Sequence, residues 1–279
     1  MVAWAGMVAA EPHPWRIAAF FDVDRTLVRG SSMLALAGPL CRAGLLPRRV
    51  LLNAAVRGLQ FSARGFSEEE VQRAVRRIGS AVRGLDAVAL RRVAERAIPQ
   101  VLAPRVYGEA LELIAWHRSR GHLVFLVSAS THELIDRLGG LVGADGVVAS
   151  EADVVEGRYT GTVALCHGTA KMEAVRRLAA AYRVDLERSF AYGDGTGDIP
   201  MLLAVGNPSA VNPDRRLRAT AVEHGWPQLH FRGRDGLSWL DDPGWPFGPT
   251  WTAVPPWRVD AGDPMAGEPV AEGASTAAY

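Results

Sequence analysis

Two aspartates, Asp22 and Asp24, directly follow an apolar run at residues 17–21, and this limits what the chain can fold into. The run is short and contains two phenylalanines, which indicates a buried strand. Asp22 and Asp24 would share a face only if the strand continued regularly through both of them. We instead expect a loop here, because open α/β sheets bind ligands at the carboxyl ends of their strands. The alternative is an Asp-rich turn that only caps a helix.

The composition argues against several classes of partner. The chain has 31 basic and 30 acidic residues, so its charge predicts no nucleic-acid and no membrane partner. Two cysteines, Cys41 and Cys166, are too few and too scattered for a disulfide framework or a zinc site. The apolar N-terminus lacks the basic region of a signal peptide, and no apolar stretch approaches about 18 residues. We therefore expect a soluble cytoplasmic protein.

Lys171 is the single lysine of the chain, and the other 30 of its 31 basic residues are arginines. Arginine is used wherever a generic cation is sufficient. A lone lysine therefore indicates a site that needs a compact ammonium charge rather than a planar guanidinium group. The alternative is a surface lysine retained by chance.

The sequence divides into three predicted regions. Residues 31–99 carry helical patterns, including a capping-box start at Ser67, and predict a helical module inserted after the first strand. Residues 15–30 and 100–232 alternate strands with helices, which predicts an α/β core built on a parallel sheet. Residues 241–279 hold seven of the 17 prolines and show no periodicity, which predicts a disordered tail.

Further polar residues follow the predicted strands of the core. Ser128 ends one strand, Lys171 lies at a helix start, and the glycine-rich segment 193–198 carries Asp194 and Asp198. A parallel sheet gathers such loops at one edge. Carboxylate oxygens suit Mg²⁺, whereas a hydroxyl and an ammonium group suit phosphate oxygens. The alternatives are a plain tight turn for the glycine-rich segment and a helix N-cap for Ser128.

This set of motifs resembles that of the haloacid dehalogenase superfamily of phosphatases. The resemblance covers about residues 15–232 and implies a Rossmann-like core. The insertion is similar to the helical cap of the subgroup that contains the phosphoserine phosphatases. The four motifs are Asp-x-Asp-x-Thr at 22–26, an apolar strand ending in Ser or Thr at 123–128, a lysine at a helix start (Lys171), and Gly-Asp-x-x-x-Asp at 193–198.

The resemblance implies a two-step hydrolysis of a small phosphorylated metabolite. Asp22 would attack phosphorus and form an aspartyl-phosphate. Asp24 would protonate the leaving alcohol and then deprotonate the attacking water. Ser128 and Lys171 would bind the phosphoryl group during its transfer.

The same resemblance implies a Mg²⁺ site. The ion would be held by the Asp22 carboxylate, the Asp24 backbone carbonyl and Asp194, with Asp198 close by or just outside the ligands. Phosphoryl transfer depends mainly on positioning and on neutralisation of charge. A metal ion together with one lysine supplies both.

Two departures from the subgroup bear on the substrate. Phosphoserine phosphatases usually carry a glutamate that binds the substrate ammonium, but residues 28–32 contain no acid. Their fourth motif often has asparagine where this chain has Gly197. A phosphorylated sugar, polyol or cyclitol is therefore as plausible as phosphoserine, and Arg29 is a candidate contact for an anionic substrate.

His167 is expected to have an ordinary polar role. The alternative functions are a phosphotransferase and a non-catalytic phosphate-ligand binder.

Overall fold

The computed structural model describes residues 15–46, 73, 75–76, 79–80 and 82–232 of the 279-residue chain. The predicted helix start at Ser67 and the predicted tail at 241–279 lie outside the described residues. The boundaries of the cap, 31–99, are described only in part and stay a prediction.

The described residues form one seven-stranded sheet flanked by helices, which confirms the predicted α/β class. The strand order is β4-β3-β2-β1-β5-β6-β7, and every neighbouring pair is parallel except the hairpin of β3 and β4. The strands are β1 Ala18–Phe21, β2 Leu123–Thr131, β3 Gly146–Val155, β4 Arg158–Ala164, β5 Phe190–Gly193, β6 Asn207–Val211 and β7 Gln228–Leu229.

Seven α-helices are defined within the described ranges, and none of them is long and apolar enough to cross a membrane. They are α1 Ser32–Arg42, α2 Ala87–Ala97, α3 Gly108–Ser119, α4 His132–Val142, α5 Thr169–Tyr182, α6 Ile199–Leu202 and α7 Arg215–His224. A π-helical turn, Ile98–Leu102, and a 3₁₀ turn, Ala103–Arg105, connect α2 to α3.

Helix α3 is preceded by a turn and an extended residue. Pro104 lies in the 3₁₀ turn, and α3 starts only at Gly108. The intervening Val106 is extended and forms an isolated antiparallel bridge with Val28. This tertiary pairing takes the segment out of helical geometry, which the local sequence pattern could not indicate.

The sheet has a separate apolar core on each face. Phe21, Leu126 and Tyr192 belong to the core that receives α1 to α4. Phe20 and Phe125 belong to the opposite core, which receives α5, α6 and α7. Alternation of side chains along β1 produces this division, since neighbouring residues of a strand point to opposite faces. Two covered faces fix the central strands, so the loops at their carboxyl ends start from rigid positions.

Candidate active site

The loop that follows β1 carries the first motif. Strand β1 ends at Phe21, so Asp22 and Asp24 lie in a loop, as predicted. The Asp22 N–H still donates to the Tyr192 carbonyl of β5 at 2.9 Å, which anchors the loop to the sheet. Arg25 has a φ of 65°, in the left-handed region that non-glycine residues rarely adopt. Its N–H donates to the Val28 carbonyl at 2.8 Å, so the loop turns back directly after Asp24.

Lys171 joins two carboxylates at the centre of the site. It lies in the first turn of α5, only 2% exposed, and its Nζ is 2.5 Å from Asp22 Oδ1 and 2.6 Å from Asp198 Oδ1. Burial, followed by the charge of Asp198, raises the pKa of Asp22 to about 7, although Lys171 acts to lower it. Burial alone would lower the pKa of Lys171, but the two carboxylates outweigh it and raise that pKa. The ammonium therefore stays charged.

Asp198 holds the glycine-rich loop together. Its Oδ2 accepts hydrogen bonds from the N–H groups of Asp194 and Gly195, each at 3.0 Å, while its Oδ1 contacts Lys171. Gly193 is required beside it, because a Cβ at that position would lie 2.5 Å from the Asp198 Cβ. Both Asp198 oxygens are thus occupied. The loop is more than a plain tight turn, since its fold depends on an aspartate that also contacts the buried lysine.

Asp194 forms an ion pair with the first loop. The Arg25 Nε lies 2.6 Å from Asp194 Oδ2, and the Asp194 side chain is 7% exposed whereas that of Arg25 is 44% exposed. Burial, with the charges of Asp198 and Asp22, raises the pKa of Asp194 well above its ordinary value. The sequence predicted Asp194 as a metal ligand but did not predict its pairing with Arg25.

Three carboxylates converge closely enough to hold a cation. Oxygens of Asp22, Asp194 and Asp198 all lie within 4.8 Å of one another, and all three residues are buried. Lys171 and the partly exposed Arg25 balance only part of this charge. Burial is the main reason that the pKa values of Asp22 and Asp194 are raised, and neighbouring carboxylates raise them further. Oxygen-only donors and excess negative charge suit Mg²⁺. The side chain of Asp24 lies outside this cluster.

Asp24 points instead toward the start of α1. Its Oδ1 accepts a hydrogen bond from the Ser32 N–H at 2.9 Å, and burial raises its pKa. Ser32 Oγ lies 2.6 Å from Ser130 Oγ, and the Ser130 N–H donates to Ser128 Oγ at 3.1 Å. Asp24 and Ser128 are thus connected through two buried serines. Ser32 and Ser130 were not predicted as site residues, and their only signal in the sequence was their closeness to the motifs.

Ser128 lies inside β2 and is 1% exposed. It therefore is not a helix N-cap, since Thr131 holds that position before α4. Phe21 pairs with Leu126, so Ser128 comes two residues beyond the level at which β1 ends. Its Oγ accepts the Ser130 N–H, so the hydroxyl hydrogen can be donated to a ligand.

A model of the haloacid dehalogenase-like hydrolase family matches residues 19–203. The chain belongs to this family. It is 39% identical to a "probable phosphatase" of Mycobacterium tuberculosis over 217 residues, 77% of this chain and 76% of the relative. It is 34% identical to a phosphoserine phosphatase of the same organism over 234 residues, 83% of this chain and 76% of that relative.

A solved structure shares the fold of this chain. Phosphoserine phosphatase in its apo form superposes with a TM-score of 0.57 at 20% identity, over 81% of this chain and 98% of that structure. The resemblance inferred from the motifs and the expectation of a phosphatase-type enzyme are thereby confirmed. The structure brings Asp22, Lys171, Asp194 and Asp198 together, while the roles assigned to these residues stay predictions.

The structure shows which side chains lie at the two positions where this chain departs from the phosphoserine phosphatase pattern. A Cβ at Gly197 would lie 2.1 Å from the His167 Cε1, so the imidazole of His167 fills the place of a side chain at that position. In residues 28–32, which lack the usual glutamate, Ser31 caps α1 by accepting a hydrogen bond from the Leu34 N–H at 3.4 Å. Arg29 is exposed and donates to the Pro104 carbonyl at 3.2 Å. His167 was expected to have only an ordinary polar role, and its one signal in the sequence is its position four residues before Lys171.

Proposed function

We propose that this enzyme is a cytoplasmic, Mg²⁺-dependent phosphatase that hydrolyses a small phosphomonoester through an aspartyl-phosphate on Asp22. The observation that carries the proposal is the buried contact of Lys171 Nζ with Asp22 Oδ1 at 2.5 Å, beside two further carboxylates. The ammonium lets a phosphate dianion approach a carboxylate that would otherwise repel it. An aspartate in this setting is a suitable nucleophile, because its second oxygen is not held by Lys171.

The nucleophilic step uses residues from three different parts of the chain. An oxygen of Asp22 forms a bond to phosphorus while the bond from phosphorus to the alcohol oxygen breaks. Lys171 orients Asp22 and balances charge on the phosphoryl oxygens, and the Ser128 hydroxyl donates a hydrogen bond to one of them. Water then attacks phosphorus in the second step and releases phosphate from Asp22.

Asp24 is the proposed proton donor and acceptor. Burial raises its pKa, which favours a protonated carboxyl group able to donate to the leaving alcohol. The Ser32 N–H donates to Oδ1, so we assign the proton transfer to Oδ2. After donating its proton, the carboxylate can remove a proton from water. General acid–base catalysis of this kind contributes about 10²–10⁴-fold.

Asp22 and Asp194, together with the Asp24 backbone carbonyl, would hold the Mg²⁺ ion, which supplies a Lewis acid for the phosphoryl oxygens. Asp198 contributes by fixing the Asp194 and Gly195 backbone and by contacting Lys171. The pKa of Asp22 is raised mainly by burial and then by the charge of Asp198, and a bound divalent cation would oppose both effects.

The proposed substrate class is a small alcohol phosphate. Relatives named as phosphatases support phosphomonoester chemistry, and one of them is named a phosphoserine phosphatase. Residues 28–32 offer no carboxylate for an amino group, and Ser31 is engaged as a helix cap. These features favour substrates without an ammonium group, such as a phosphorylated sugar or polyol.

A screen of phosphorylated metabolites for phosphate release tests the proposal. The full chain is assayed with Mg²⁺ and again with excess EDTA, and Asp22→Asn serves as the inactive control. We expect release that needs Mg²⁺ and is lost in the variant. Transfer of phosphate to an added alcohol rather than to water would identify a phosphotransferase. Ligand binding without turnover would identify a non-catalytic binder.

A further inference from the structure

Arg25 is the partly exposed cation at the edge of the buried carboxylate cluster. It occupies the variable position between Asp24 and Thr26 in the first motif. Its Nε is 2.6 Å from Asp194 Oδ2, and this contact ties the loop after β1 to the loop after β5. The arginine therefore contacts a carboxylate that the proposed function assigns to the metal ion.

The backbone directs Arg25 toward Asp194. Its left-handed φ of 65° is strained for a residue with a side chain, and such strain tends to persist at functional sites. The Arg25 N–H donates to the carbonyls of Val28, at 2.8 Å, and Gly30, at 3.2 Å, which fixes the turn. A Cβ at Gly195 would come within 3.4 Å of the Arg25 guanidinium, so the group lies against the Gly195 backbone.

The other groups of the cluster cannot replace Arg25. Lys171 already contacts Asp22 and Asp198, and both oxygens of Asp198 are occupied. Among the residues that the structure describes, Arg25 forms the ion pair with Asp194. A divalent ion and the Arg25 guanidinium would therefore act on the same buried carboxylate.

We propose that Arg25 is a built-in counter-cation that competes with the divalent ion for Asp194 and so weakens the affinity of the site for metal. The inference rests on the proposed function, because it requires the metal site. Without metal, the guanidinium balances the charge of Asp194. When metal binds, Arg25 must leave Asp194 Oδ2 or share the carboxylate, and its positive charge repels the ion in either arrangement.

The test measures Mg²⁺ binding by isothermal titration calorimetry on the full chain after removal of metal with EDTA. Arg25→Gln removes the charge and keeps a side chain of similar reach. We expect it to bind Mg²⁺ about tenfold more tightly than the wild type. Arg25→Lys should also bind Mg²⁺ more tightly than the wild type, but by a smaller factor than Arg25→Gln. The matched control is Arg176→Gln, which removes an exposed arginine of α5 and should bind Mg²⁺ as the wild type does.

Thermal unfolding supplies a second measurement. Arg25→Gln should lower the melting temperature of the metal-free protein. Saturating Mg²⁺ should raise the melting temperature of the variant by more than it raises that of the wild type. If the variant folds only with metal, its rescue by Mg²⁺ supports the proposal, and failure of the rescue overturns it.

The outcomes separate the two claims. Absence of Mg²⁺ binding by the wild type would reject the metal site and, with it, the metal dependence in the proposed function. Binding by the wild type with equal or weaker binding by Arg25→Gln would reject only the role of Arg25.

Discussion

Replacement of Lys171 is the most direct probe of the site. Its ammonium lies within 2.6 Å of carboxylate oxygens from both Asp22 and Asp198, and the residue is 2% exposed. Lys171→Arg keeps the charge but puts a planar guanidinium in a buried space that fits a compact ammonium group. The two short contacts cannot both be kept, because guanidinium and ammonium differ in shape and reach. Asp22 should consequently lose its orientation.

The expected loss is at least about tenfold in kcat/KM, equivalent to roughly 1.4 kcal/mol of transition-state stabilisation. Lys171→Met should have a larger effect than Lys171→Arg, because it leaves two buried carboxylates without their shared cation. Removing one partner of a buried ion pair destabilises a protein by about 3–5 kcal/mol. Protonation of Asp22, whose pKa is already raised to about 7, relieves part of this cost. The loss of stability should thus be smaller at pH 6 than at pH 8.

The assay is phosphate release from a substrate found by the metabolite screen, with circular dichroism and thermal unfolding as folding checks. Arg176→Lys, an exchange of cations on the exposed face of the same helix, is the matched control and should leave kcat/KM unchanged. Wild-type kinetics in Lys171→Arg would refute the reasoning, and the phosphate site would then have to be assigned to another cation.

Four other perturbations have definite expected outcomes. Asp22→Asn should abolish turnover without unfolding the protein, and phosphate release near the wild-type rate would reject covalent catalysis. Asp194→Ala should raise the Mg²⁺ concentration needed for half-maximal activity, measured by metal titration, and an unchanged requirement would remove Asp194 from the metal site. Ser130→Ala should lower kcat more than it raises KM, because it removes the hydroxyl that contacts Ser32, whose N–H holds Asp24, while the backbone N–H that binds Ser128 stays; rescue by Ser130→Thr should distinguish positioning from loss of folding. Burial lowers the pKa of His117 well below its ordinary value, so below about pH 6.5 the unfolded chain binds a proton that the folded chain does not. The unfolding free energy of the wild type should therefore fall relative to that of His117→Gln between pH 7 and pH 5, and parallel curves in urea titrations would contradict this.

The local sequence pattern was sufficient to predict the strands, the loop and the helix start that carry the site residues. The apolar run before Asp22 predicted a strand followed by a loop, and the strand ends at Phe21. The apolar run ending in Ser128 and the helix start beside Lys171 were likewise visible without tertiary information. These features depend on residues close together in the chain, and periodicity and capping report on such neighbours. The motif order then indicated which strand ends meet.

The partners of these side chains were decided by the tertiary structure. Arg25 and Asp194 form their ion pair across 169 positions of the chain, and Ser32 contacts Ser130 across 98. His167 fills the space beside Gly197 because two separate loops meet there. A local pattern records which residues are polar, but it carries no information on which distant loop lies opposite. The motifs therefore determined the chemistry available to this chain, whereas packing of the sheet determined which charges compensate one another.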